Sequence, residues 1–85
     1  MNRSFCVTYD KLAGTTVDAN LYINVDVAKR SFLKFGSLHP ECCTDLVLRH
    51  VADYDAELCT ITPQKEIVDI CTFDQLVEEM NKNGK

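Results

Sequence analysis

The chain lacks the features that mark membrane-spanning, secreted and nucleotide-binding proteins. No apolar stretch approaches the roughly 20 residues needed to cross a bilayer. The N-terminus runs directly into a strand pattern at residues 4–9, without the apolar region of a signal peptide. The 3 glycines stand far apart, so no glycine-rich phosphate loop is present. We therefore expect a protein that is neither secreted nor held in a membrane.

Cysteine is abundant, but its pattern favours neither a disulfide framework nor a metal site. The chain has 5 cysteines in 85 residues, an odd number; Cys42 and Cys43 are adjacent, and no Cys-x-x-Cys pair occurs. Disulfide-stabilised domains usually have an even number of cysteines in a loop-rich secreted chain. The pattern predicts free thiols in a reducing intracellular compartment, the cytoplasm.

The net charge of −4 is unevenly distributed along the chain. Residues 1–40 have 5 basic and 3 acidic side chains, whereas residues 41–79 have 2 basic and 10 acidic ones. An acidic chain does not suit nucleic acid, whose binding depends mainly on basic side chains that neutralise phosphates. It suits a protein partner with a basic face, or it serves only to keep the domain in solution.

Alternating apolar residues predict a hairpin at the start of the chain, followed by a helix. Residues 4–9 and 17–25 alternate with the period of two that is typical of half-buried antiparallel strands, and the second strand places Val17 and Leu21 on its apolar side. A helix is predicted over residues 27–35. Asp26 is its expected N-cap and Gly36 its expected C-cap.

The second half of the chain predicts two or three further strands and a second helix. Strand patterns cover residues 45–51, 58–61 and, less clearly, 67–71, with turns at 53–57 and 63–65. Thr72 and Gln75 have the spacing of a capping box at the start of the last helix. The order β-β-α-β-β-(β)-α indicates an α+β fold, with a mixed or antiparallel sheet of four to five strands packed against two helices. Residues 1–80 would form a single domain, and residues 81–85 a flexible C-terminal tail.

One loop contains residues that could bind zinc or act as nucleophiles. His39, Cys42 and Cys43 lie close together, and His50 follows on the next strand. Structural zinc sites usually space their ligands as C-x₂₋₄-C and H-x₃₋₅-H, which this segment does not do. A cysteine nucleophile also needs a nearby base and a lowered pKa, for which the sequence has no signature. A zinc- or thiol-dependent domain is therefore an alternative hypothesis, and we predict neither a cofactor nor catalysis.

The predicted turn after residue 51 contains three carboxylates at alternate positions, Asp53, Asp55 and Glu57. Such a cluster can accept charge-assisted hydrogen bonds from lysine or arginine of a partner. Its segment, residues 46–61, resembles the strand–acidic turn–strand motif of acidic-type PB1 domains, which have the ubiquitin-like β-grasp fold. Ala56 stands where that family usually has glycine, and the family's closing strand has no counterpart after the last helix. The resemblance implies that Asp53, Asp55 and Glu57 contact a basic face of another protein, in a homo- or hetero-oligomer.

These observations predict a non-enzymatic protein–protein interaction module that presents an acidic hairpin tip to a basic partner surface. A second alternative is a structural domain of a larger polypeptide with no site of its own, in which the acidic residues only favour solubility.

Overall fold

The computed structural model of the chain describes residues 2–83 as one sheet and two α-helices. The elements are β1 (Asn2–Asp10), β2 (Thr15–Tyr22), α1 (Val25–Leu38), β3 (Leu46–Asp55), β4 (Thr60–Thr72) and α2 (Phe73–Asn83), with a short 3₁₀ turn at Cys43–Asp45. The predicted α+β class is confirmed. The predicted ubiquitin-like β-grasp fold stays a prediction.

The sheet has the order β2-β1-β3-β4, and every neighbouring pair is antiparallel. The separate strands predicted at 58–61 and 67–71 are one strand, β4, which pairs with β3 in two stretches. Asp55 to Ala52 pair with Thr60 to Pro63, and His50 to Val47 pair with Val68 to Thr72. Residues 64–67 have no partner there, because β3 has only Val51 between its two paired stretches. The predicted turn at 63–65 is thus an irregularity within one strand.

Both helices pack on one face of the sheet and form the core there. The buried cluster contains one residue of β1, two of α1, two of β3 and one of α2: Cys6, Ala28, Phe32, Leu46, Leu48 and Leu76. Since strand side chains alternate between faces, Phe5 and Val7 on β1 lie on the opposite face, which neither helix covers. We call that second face the open face.

The side of β2 that was predicted to be buried lies on the open face. Leu21 pairs with Phe5 and is 46 % exposed, and Val17 is 42 % exposed. The other side of the same strand faces α1, where the Tyr22 hydroxyl bonds to Ser31 Oγ at 3.3 Å. The prediction was wrong because alternation identifies residues that share a face but not the face that the helices cover.

Helix α1 begins two residues earlier than predicted. Asn24, not Asp26, is the N-cap, and its Oδ1 accepts a hydrogen bond from the Val27 backbone N–H at 2.9 Å. Asp26 instead lies in the first helical turn, where a carboxylate interacts favourably with the helix dipole.

Gly36 is a buried interior residue of α1 and not its C-cap. The helix continues to Leu38, and a β-carbon at position 36 would overlap the Phe73 ring. Glycine is therefore required here by the close approach of α2.

Helix α2 begins with the predicted capping box. Gln75 Oε1 accepts from the Thr72 backbone N–H at 2.9 Å, and Thr72 Oγ1 accepts from the Gln75 backbone N–H at 3.1 Å. The helix extends to Asn83, so residues 81–83, which were predicted to begin a tail, continue it. Residues 84 and 85 lie outside the described part of the chain.

Candidate acidic interaction site

The three predicted carboxylates lie where β3 ends and turns into β4. Strand β3 extends to Asp55, so the turn comprises residues 56–59 and not 53–57. Asp53 and Asp55 are two residues apart on the strand, and both therefore belong to the side of the sheet that the helices occupy. Glu57 lies within the turn. The predicted tip is thus a strand end with two aligned carboxylates and an adjoining acidic turn.

Asp55 fixes the conformation of the turn. Its Oδ1 accepts from the backbone N–H groups of Glu57 at 2.9 Å and Leu58 at 3.1 Å. Cys59 closes the turn with a positive φ of 58° and donates its backbone N–H to the Asp55 carbonyl at 2.7 Å. The bonds from the Leu58 and Glu57 N–H groups stabilise the carboxylate and lower the pKa of Asp55. Asp55 is therefore ionised at neutral pH.

Asp53 is held by two neutral or weakly basic side chains. Its Oδ1 lies 2.9 Å from His50 Nε2, and its Oδ2 accepts from Gln64 Nε2 at 3.1 Å. The Asp53 side chain is nevertheless 43 % exposed. Within residues 2–83, no lysine or arginine forms an ion pair with Asp53 or Asp55. These two carboxylates are therefore without a lysine or arginine partner among residues 2–83, while the positive charge of the N-terminus contributes to the lowered pKa of Asp55.

His50 and Gln64 are part of this site but were not predicted to be. Residues three apart on a regular strand point to opposite faces, so His50 and Asp53 should not meet. The irregularity at Val51 shifts the register by one residue and brings both onto one face. Gln64 reaches Asp53 from the unpaired stretch of β4. The spacing of the sequence gives no signal for either contact.

Tyr54, between the two aspartates, lies on the open face and pairs with Ile61. A hydrogen bond with the Cys59 thiol is the main cause that raises the pKa of Tyr54, which keeps its hydroxyl protonated at neutral pH. The strand end is therefore acidic on one side and apolar on the other.

The residues of the alternative zinc or thiol site are near one another but make separate contacts. The Cys42 and Cys43 thiols each lie 3.7 Å from a backbone carbonyl, that of His39 and that of Pro40 respectively. His39 packs on Phe35 with 4.5 Å between ring centroids, and its Nδ1 lies 3.5 Å from Glu41 Oε2.

No metal-binding geometry accompanies these contacts in the part of the chain that the structure describes. Residues 2–83 contain no group of three or more His, Cys, Asp or Glu side chains that could hold a metal ion. Burial, with a contribution from Glu41, raises the pKa of the Cys42 thiol and so opposes formation of the thiolate. All five cysteines are free thiols.

Comparison of the chain with protein-family models, with curated proteins and with solved structures finds no match. In residues 2–83, neither helix has the length and apolar character that crossing a bilayer requires.

Proposed function

We propose that this domain is a non-enzymatic interaction module that uses Asp53 and Asp55, with Glu57 beside them, to bind a basic surface of another protein. The observation that carries the proposal is the pair of aligned carboxylates at the end of β3 without a lysine or arginine partner among the described residues. The resemblance of residues 46–61 to the acidic PB1 motif supports the same assignment.

The turn geometry suits recognition because it is already ordered. Asp55 is fixed by two backbone N–H groups, and Asp53 by His50 and Gln64. A partner arginine or lysine therefore binds side chains whose conformational entropy has largely been lost on folding. Each carboxylate oxygen has two acceptor positions, so Asp53 keeps acceptor capacity toward solvent after its internal bonds are made.

A binding experiment with isosteric variants tests the site. The Asp53→Asn/Asp55→Asn double variant removes two charges but keeps an oxygen that accepts the turn hydrogen bonds. The probe is a fluorescein-labelled octa-arginine peptide, measured by fluorescence anisotropy at about 20 mM and about 200 mM salt. We expect the double variant to bind at least ~10-fold more weakly at low salt, because two charge-assisted contacts are lost.

The matched control is Asp45→Asn/Asp74→Asn, which removes the same number of charges at the opposite end of β3 and β4, because Asp45 precedes Leu46 and Asp74 follows Thr72, the partner of Val47. Affinity of this control should fall by less than ~3-fold, since its charges are distant from the tip. If both double variants lose affinity equally, peptide binding depends only on the net charge of the domain, and the proposed site is refuted. Peptide-induced NMR shifts confined to residues 53–59 would support the same conclusion independently.

A further inference from the structure

The open face of the sheet is apolar and nearly neutral. Strand pairing assigns 15 paired residues to this face, of which only Arg3, Arg49 and Asp69 are charged. Two of these neutralise each other, because Arg49 Nε lies 2.8 Å from Asp69 Oδ1. The Arg49 guanidinium also lies 4.2 Å from the centroid of the Tyr9 ring, so a second interaction on the same face holds its charge.

Large apolar side chains on this face remain accessible. Phe5 pairs with both Leu21 and Ala52, and Tyr54 pairs with Ile61. Leu21 is 46 % exposed and Ile61 is 61 % exposed. Between them, Val47 and Ala52 of β3 are only 4 % and 5 % exposed, so the accessible apolar surface lies mainly toward the edge strands. Apolar surface of this kind on a sheet normally packs against a second layer.

We propose that the open face binds the open face of a second copy of this chain, which would make a symmetric dimer with two sheets inside and the helices outside. The balance of charge on the face argues for this occupant. A strongly acidic or basic partner would find little complementary net charge there, whereas a second copy presents the same nearly neutral, apolar surface. The acidic groups at the end of β3 lie on the helix side, away from this contact.

The area of the face is sufficient for a specific dimer. Four strands spaced ~4.8 Å apart and about eight residues long, at ~3.3 Å per residue, give a face of about 500 Å². Two such faces bury about 1,000 Å², which is the lower limit for a specific interface. Sheets packed face to face are ~10 Å apart with strands inclined by ~30°, a geometry that a two-fold axis permits. The dimer should therefore form, but weakly.

Sedimentation equilibrium of the full chain, from about 5 µM to about 500 µM, measures the dimer directly. The test variants are Leu21→Asp and Ala19→Lys, each of which places a charge on the open face from the edge strand β2. Each substitution occurs twice in a symmetric dimer, so we expect dimerisation at least ~30-fold weaker in either variant. The matched control is Leu12→Asp, in the turn between β1 and β2, where Leu12 is 83 % exposed.

The outcomes separate the proposal from its alternatives. A concentration-dependent dimer that is lost in Leu21→Asp and in Ala19→Lys but kept in Leu12→Asp supports it, provided that circular dichroism shows all three variants folded. Ala19→Lys is informative even if Leu21→Asp unfolds, because Ala19 is exposed and contributes little packing. A wild-type chain that is monomeric at all concentrations overturns the proposal, and the face would then bind another protein. A dimer that survives both open-face variants also overturns it.

Discussion

Replacing Gly36 by alanine tests how closely the two helices pack. In an ordinary helix interior this substitution stabilises by roughly 0.5–1 kcal/mol, because glycine loses more backbone entropy on folding. Here the new β-carbon would overlap two carbons of the Phe73 ring. Overpacking costs about 1–3 kcal/mol, and displacement of the ring weakens a further contact. Phe73 meets Phe32 edge to face, with 6.3 Å between ring centroids.

Loss of that aromatic pair adds about 0.5–1.5 kcal/mol to the destabilisation. The net expectation is that Gly36→Ala lowers the free energy of unfolding by about 0.5–4 kcal/mol, as measured by urea denaturation followed by circular dichroism. In a Phe73→Leu background the same substitution should cost at least ~1 kcal/mol less, since the overlapping ring is gone. Ser37→Ala, at the next and exposed position of α1, is the matched control and should change stability by no more than ~0.5 kcal/mol. A stabilised Gly36→Ala protein would refute the close approach of α1 and α2.

Two further predictions concern burial and capping. Burial, with a contribution from Asp53, raises the pKa of Cys6 from 9.0 to about 11. The raised pKa adds stability that is complete below about pH 9 and is lost as the pH rises towards 11. Urea denaturation should therefore show the stability advantage of wild type over Cys6→Ala shrinking across that interval, and a constant difference would contradict the burial. Asn24→Ala should lower the free energy of unfolding by ~0.5–2 kcal/mol, and Asp26→Ala should lower it by less. A larger loss of stability in Asp26→Ala than in Asn24→Ala would show that Asp26, and not Asn24, caps the helix.

Local hydrogen-bonding patterns were the most predictable features of the fold. Thr72 and Gln75 form the expected capping box because both partners lie within one helical turn and need no distant contact. The cap of α1 was misassigned although the same rule applies. Asn24 and Asp26 are both good N-cap residues two positions apart, and which of them caps the helix depends on the residue at which β2 ends.

Tertiary contacts explain what the sequence could not predict. Cys6 on β1 is buried while Phe5 and Val7, the more apolar residues, remain partly accessible. Helix α1 covers the side of β1 that carries small side chains, which lets the helices approach the sheet closely. Glycine at position 36 is likewise explained by a tertiary contact, because the ring that a β-carbon there would overlap belongs to Phe73, 37 residues later in the chain. For the candidate acidic site, the two-residue spacing of Asp53 and Asp55 predicts that they share one side of β3, but no spacing predicts the contact of His50, which depends on the register shift at Val51.

The two proposed surfaces lie on opposite sides of the sheet and depend on different forces. Asp53 and Asp55 belong to the helix side, whereas Leu21 and Ile61 belong to the open face. Salt screens the carboxylates but strengthens apolar burial only slightly, so ionic strength separates their contributions. A dimer joined through the open faces would carry two acidic tips, and neither would be covered by the contact. A basic partner with two matching surfaces would then bind both tips at once, and the second contact would form at an effective concentration set by the distance between them.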